Sequence, residues 1–379
     1  MYNRKAKIWD ENNMKIEILQ EELLKGIVVV TRAVSNRAQL PVLSAIKIEA
    51  LAAELVLSAT DLEIGVRHVI SARVDMQGSV AVPAKTFNEL LTTLAPGKLS
   101  IELKEQSLVI KSKGFSGKIA TIDVSEFPSL PAMEESLIEV SASELTRGVS
   151  NVGFASAKES LRPVLTGVLM EVSQSLRVVA TDGFRLAVST IGIKGATTRA
   201  QSLLVPARAL FECGKILREG VIKIGYLPES KQVLFVGEQT QLSSQIIEGN
   251  FPDYNKILPK EFVTRMIIPR EELLAAVRTA LVFARDNSNM MRWRVEGGKL
   301  LISSSSSGNG EGLVEVVIKA EGEENLEVVF NAKYVIDYLT LLDNESVWVG
   351  LGGKLLPGMI AQSENGRDDA FYVVMPINA

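Results

Sequence analysis

Val82-Pro83-Ala84-Lys85-Thr86-Phe87 leads into apolar residues at helical spacing, Phe87, Leu90, Leu91 and Leu94. The phrase returns as Val205-Pro206-Ala207-Arg208-Ala209-Leu210, leading into Leu210, Cys213 and Leu217. It returns again, more faintly, as Phe330-Asn331-Ala332-Lys333-Tyr334-Val335, leading into Val335, Leu339 and Leu342. The copies stand about 124 residues apart, a fixed period that marks tandem repetition of one folded unit.

Other landmarks keep the same period. Ala59-Thr60-Asp61-Leu62 returns as Ala180-Thr181-Asp182-Gly183, and Phe127-Pro128-Ser129-Leu130-Pro131 returns as Phe251-Pro252-Asp253-Tyr254. A leading helix repeats through Leu23, Ile27, Val30 and Val34, then Leu145, Val149 and Val152, then Leu273, Val277 and Leu281. Each module therefore reads helix, strands, Thr-Asp turn, strands, helix, strands, Phe-Pro. In the third copy the Thr-Asp position falls in 303–307, and 303–312 reads as a mobile Ser/Gly-rich loop. The pattern predicts an α+β chain with a flexible extension over 1–13 and domains at 14–132, 138–258 and 262–379. Linkers are expected at 131–138 and 258–265.

Of the 379 residues, 46% are apolar, enough for each module to bury its own core. No run approaches the roughly 18 uncharged apolar residues of a membrane span, and the first residues are too polar for a signal peptide, so a cytoplasmic location without membrane contact is expected. The single cysteine, Cys213, lies on an apolar helix stripe, allows no internal disulfide and fits a reducing compartment. The single histidine, His68, sits in the strand-like run 64–74, where a structural or surface role is expected. No phosphate-binding loop, dinucleotide turn or His-Glu-x-x-His pair is present, and pairs such as Asp368-Asp369 and Glu134-Glu135 read as solvated charge. No catalytic residue, metal or cofactor is expected.

The net charge of −4 argues against a uniformly basic nucleic-acid coat. The repeated helices nevertheless carry eleven basic residues against nine acids, and several of the acids fall in first turns, where they suit the helix dipole. Helices of this kind lining one face would attract phosphates weakly and without sequence preference. A metal-dependent enzyme built of repeats and a peptide-binding adaptor remain as alternatives at this level.

The run Ala180-Thr181-Asp182-Gly183-Phe184-Arg185-Leu186-Ala187, the run Gly249-Asn250-Phe251-Pro252-Asp253-Tyr254 and the ending Tyr372-Val373-Val374-Met375-Pro376-Ile377 together resemble the bacterial DNA polymerase III β subunit family, the replication sliding clamps, over 14–379. The resemblance implies three tandem repeats of the DNA-clamp fold and a head-to-tail homodimer, with helices lining the inside of a ring and β-sheets on the outside. Periodicity by itself is equally compatible with a trimer. Double-stranded DNA would pass through the ring, and the DNA polymerase III catalytic subunit, the clamp loader, other DNA polymerases and repair proteins would dock through short peptide motifs.

The resemblance also implies site residues. Leu165, Thr181, Gly183, Arg185, Leu186, Pro252, Ile257, Val373 and Met375 match an apolar partner pocket, and Asn331 and Pro357 its shallower continuation. Arg185 is expected to give the pocket its aliphatic stem and a polar rim. Phe184 stands where better-known members carry histidine, and the ending Ile377-Asn378-Ala379 lacks the penultimate arginine of some relatives. Arg37, Lys85, Arg147 and Arg208 are the expected DNA-facing cations, and Phe283 and Ala284 are expected to meet Ile119 at the dimer contact.

Overall fold

The computed structural model of the chain describes residues 13–35, 40–159, 161–194, 200–308, 310–364 and 369–378. Nearly all of the predicted N-terminal extension, together with Arg37, lies outside the described residues. Six α-helices stand among them: α1 (Gln20–Val30), α2 (Ala84–Thr93), α3 (Ala142–Gly153), α4 (Ala207–Ile216), α5 (Arg270–Ala284) and α6 (Ala332–Leu339). Each begins where a strand ends, and Pro83 and Pro269 hold the N-cap positions of α2 and α5. Glu21, Glu22, Glu144, Glu271 and Glu272 occupy first turns, where the exposed N–H groups favour negative charge. At the N-cap of α6, Asn331 accepts a hydrogen bond from the Lys333 N–H.

The chain divides into two compact units, residues 1–142 with 212–246 and residues 143–211 with 247–379. The division runs through the second sequence repeat because each unit is built around one sheet drawn from two repeats. In the first unit the eight-stranded sheet pairs Ile64–Ser71 antiparallel with Thr240–Gln245, from Thr240 opposite His68 to Ser244 opposite Ile64. In the second unit the nine-stranded sheet pairs Arg185–Ile191 with Ala370–Val374, from Arg185 opposite Val374 to Ser189 opposite Ala370. Each junction thus satisfies the backbone groups of what would otherwise be two sheet edges.

The Phe-Pro segments pack onto these units. Phe127 is buried with Val42 and Leu43 in the first, and Tyr254 and Phe262 are buried with Leu186, Trp348 and Val373 in the second. Phe262 meets Trp348 edge-on with ring centroids 5.0 Å apart. The expected linker 258–265 is therefore core-forming, and Thr264–Pro269 is already a strand. The expected linker 131–138 is tied down likewise, because Gln241 Nε2 donates to the Pro131 carbonyl over 2.5 Å.

The serine run is not a loop. Lys299–Ser306 pairs with Gly310–Val317 in a hairpin that sets Ser304 opposite Gly312 and Ser306 opposite Gly310. Leu300, Ile302 and Ser304 face inward, and Ser304 Oγ donates to the Ala280 carbonyl of α5 over 2.6 Å, so a hydroxyl takes the place of an apolar contact.

The Thr-Asp turn is the same structure in both units. Thr60 Oγ1 donates to the Ile64 carbonyl and accepts from the Leu62 N–H, while Asp61 Oδ1 accepts from the N–H groups of Glu63 and Ile64. Thr181 and Asp182 repeat these bonds with Arg185, Gly183, Phe184 and Arg185 in the corresponding places. The turn needs left-handed backbone at its third residue, where Gly183 has φ 93° and Leu62 φ 77°. Leu62 is 53% exposed, so little packing compensates for its strain. Leu62→Gly is expected to raise the urea stability of the chain by about 0.5 to 1 kcal/mol, and Gly183→Ala to lower it by about 1 kcal/mol. A Cβ at residue 183 would meet no atom within 4 Å, so the second effect isolates backbone strain. Equal stability of both variants and the parent would contradict this reading.

His68 Nδ1 and Thr240 Oγ1 share a 2.7 Å hydrogen bond across the first junction, and burial holds the imidazole below its usual value of 6.5. The unfolded chain takes up a proton near the usual value that the folded chain resists. This contribution is complete above pH 6.5 and is lost as pH falls toward the lower folded value. The unfolding free energy should therefore drop on acidification, and His68→Gln should flatten that part of the profile; parallel profiles would refute the assignment.

Candidate functional site: the Thr-Asp turn of the second unit

The second unit gathers most of the predicted pocket residues at one end of its junction ladder. Leu186 lies directly opposite Val373, and both are fully buried. The ladder continues one step beyond its last strand pair, since the Met375 N–H donates to the Phe184 carbonyl over 2.9 Å. Thr181 is buried beneath the turn and holds its shape, while Gly183 is exposed at its tip. Leu165 is buried at the end of a short 3-10 turn, Pro163–Thr166. Pro252 and Ile257 are exposed on either side of the buried Tyr254, whose hydroxyl donates to Glu171 Oε2 over 2.6 Å. Leu186 and Val373 thus belong to the core cluster that holds Tyr254, Phe262 and Trp348, while Phe184 and Ile257 are 63% and 38% exposed.

Asn331 and Pro357 lie further along the same unit. Asn331 caps α6, and its neighbour Phe330 sits where a Cβ on Gly358, next to Pro357, would come within 2.8 Å of the ring. The C-terminal segment links the two parts, since the Met375 N–H bonds to Phe184 and the Ile377 N–H donates to the Val329 carbonyl over 2.8 Å.

Arg185 departs from expectation. Its side chain is only 11% exposed, and its guanidinium is committed within the protein. Nε donates to Asp182 Oδ2 over 2.9 Å, one terminal nitrogen to Asp337 Oδ2 over 2.6 Å and the other to the Phe154 carbonyl over 3.1 Å. The rings of Tyr334 and Phe154 flank it at 4.5 and 5.4 Å. Tyr338 and Tyr372 stack at 4.7 Å against the same cluster, and burial pushes both phenols up, so they remain neutral beside the cation. Sequence reasoning missed Phe154, Tyr334, Asp337, Tyr338 and Tyr372 as partners. The helical spacing of 334, 337 and 338 on α6 carried the signal, but Asp337 reads locally as a solvated helix acid.

Lys85, Arg147 and Arg208 are exposed on α2, α3 and α4. Lys85, Arg208 and Lys333 each hold the second position of the second helix in their repeat, where the helix dipole disfavours a cation. Lys333, one of the eleven basic residues of the repeated helices, is exposed but was not among the expected DNA-facing cations. Among further helix cations, Arg32 and Lys215 both pair with Glu212, and Lys25 pairs with Glu22. Ile119 and Ala284 are buried within the chain itself, and Phe283 is half-buried where a Cβ on Gly312 would strike its ring. Among the described residues, no cluster of three or more His, Cys, Asp or Glu could hold a metal ion, and no helix is long and apolar enough to cross a membrane.

Comparison with known proteins agrees along the whole chain. Residues 14–131, 139–253 and 255–378 match, in order, the N-terminal, central and C-terminal domains of the DNA polymerase III beta subunit. The beta sliding clamp of Synechococcus elongatus is 30% identical over 375 residues, covering 96% of this chain and 99% of that protein. That of Bacillus subtilis is 28% identical over 361 residues, covering 92% and 95%. The crystal structure of the Bacillus subtilis sliding clamp superposes with a TM-score of 0.92 at 27% identity, covering 97% of this chain and 100% of that one. A Pseudomonas aeruginosa clamp bound to griselimycin superposes at 0.90, with 27% identity and the same coverage. With three tandem clamp domains in an α+β chain, the protein belongs to the DNA polymerase III β subunit family, the sliding clamps, which are non-catalytic processivity factors.

Proposed function

We propose that two copies of this chain close head to tail into a ring around duplex DNA in the cytoplasm and tether the replicative polymerase to it. The pocket at the Thr-Asp turn of the second unit receives short apolar peptides from the polymerase III catalytic subunit, the clamp loader, other polymerases and repair proteins. The observation that carries this reading is the cross-strand pair of buried Leu186 and Val373, with Phe184 and Ile257 exposed and Met375 half-buried, in a chain of the clamp family. Thr181 and Gly183 shape the turn, Leu165 and Pro252 complete the wall, and Asn331 and Pro357 extend the groove. A related clamp that holds griselimycin supports a ligand site on this fold.

Two sheet edges suit the head-to-tail contact. Phe115–Ala120 ends the five-stranded sheet of the first unit, and Gly310–Val317 ends the four-stranded sheet of the second, with Leu313 and Val317 60% and 69% exposed. Such edges seek a partner strand. Ile119 and Ala284 then support the contact from beneath, and the exposed side of Phe283 joins it. A closed ring holds DNA by topology, so its cations need only attract phosphates gently. Lys85, Arg147 and Arg208 meet that need, with Lys333 as a fourth.

The test is retention on nicked circular DNA after loading with a clamp loader and ATP, followed by linearisation. Release on cutting is expected; equal retention on both forms would reduce the protein to an ordinary surface binder. A triple variant, Lys85→Gln, Arg208→Gln and Lys333→Gln, should load poorly and show a salt dependence of DNA association shallower by about one unit for each phosphate no longer neutralised. Lys85→Gln and Lys333→Gln without the Arg208 change should leave the thermal midpoint equal to or above that of the parent, because each removes a cation from a helix N-terminus. A stability loss with unchanged DNA association would count against a DNA-facing role.

A further inference from the structure

The two junction ladders begin at the same turn but close differently. In the first unit the residue after Thr60-Asp61-Leu62-Glu63 is Ile64, an aliphatic side chain 1% exposed, set opposite Ser244. In the second unit the equivalent position is Arg185, set opposite Val374. An aliphatic residue suffices to begin the first ladder, so a cation that must be desolvated at the second requires a separate reason.

Its contacts supply one. Asp182 lies on the same turn, Phe154 follows α3, and Tyr334 and Asp337 lie on α6. The first two segments fall within the central family domain and α6 within the C-terminal one. One planar guanidinium therefore bonds three segments from two domains, and its two ring neighbours come one from each domain. These donors are spent inside the protein, leaving an arriving peptide little but the edge of the group.

We propose that Arg185 is a positioning residue, a strap that holds the central and C-terminal domains in register beneath the partner pocket rather than a side chain that binds the partner. The inference rests on the pocket reading given above. Arg185 and Asp337 then act as a unit: loss of either lets the turn and α6 move independently, so the floor formed by Leu186 and Val373 is no longer held against the Met375 edge. Lysine cannot replace Arg185, because a single ammonium cannot reach Asp182, Asp337 and the Phe154 carbonyl together.

The test uses griselimycin as the probe and the full chain carrying Arg185→Met, Arg185→Lys, Asp337→Asn, or Arg185→Met with Asp337→Asn. Affinity is read well below the unfolding range, with native circular dichroism as the check on folding, and thermal midpoints are read without ligand. Arg185→Met is expected to weaken griselimycin about tenfold, with Arg185→Lys close to it, consistent with loss of a buried charge-assisted network. Asp337→Asn should weaken binding several-fold, and the double variant should bind no worse than Arg185→Met alone. The thermal midpoints should be non-additive in the same way. Weakening by Arg185→Met alone, with Asp337→Asn like the parent, would make Arg185 a direct ligand contact and overturn the proposal. Should the parent fail to bind griselimycin, the pocket reading is what falls. The strap is then judged by the midpoints, where additive shifts overturn it and non-additive shifts uphold it.

Discussion

Everything in this chain depends on antiparallel strand pairing across the repeat boundaries. A repeat that ended its own sheet would leave backbone donors and acceptors exposed along each edge, and an exposed edge invites uncontrolled association. Here Ile64–Ser71 takes Thr240–Gln245 as its neighbour, and Arg185–Ile191 takes Ala370–Val374. Each added hydrogen bond contributes only about 1 kcal/mol net, but the ladder also fixes register, and register decides which side chains face the core. Slipping the second ladder by one residue would turn Leu186 and Val373 out of the core they share.

That register places chemistry at the ends of the ladders. The Thr-Asp turn precedes each junction, and its side-chain hydrogen bonds fix the first residue of the pairing strand. In the first unit the fixed residue is the buried aliphatic Ile64. In the second, the arginine brings together two carboxylates, a backbone carbonyl and an aromatic cluster. A duplicated motif has thus become an aliphatic joint at one site and an arginine-centred polar and aromatic cluster at the other. Gly183 and Leu62 diverge in the same sense: the site with the arginine has the residue suited to left-handed backbone, and the aliphatic joint tolerates strain.

Sequence alone carried much of this. The hexapeptide repeat located α2, α4 and α6, and the apolar spacings located α1, α3 and α5, because helices bury one stripe and that stripe is periodic. The convergence of Leu186, Val373 and Met375 was legible only through family resemblance, since no local pattern pairs residue 186 with 373. The serine run was misread because the inward hydroxyl of Ser304 is satisfied by a carbonyl of α5, 24 residues away in sequence. Arg185 was misread for the same reason: its partner Asp337 lies 152 residues away. Polar groups buried through distant partners look like surface residues in sequence, whereas apolar groups announce their burial locally.

The claim that the repeats are joined by shared sheets is tested most directly by native-state amide hydrogen exchange across the chain at increasing urea. The account predicts that Thr240–Gln245 opens together with Ile64–Ser71, and Arg185–Ile191 together with Ala370–Val374, each pair at one common free energy. If the strands of residues 139–253 instead open as one block, apart from their partners in the flanking domains, the repeats are independent bodies and the account fails.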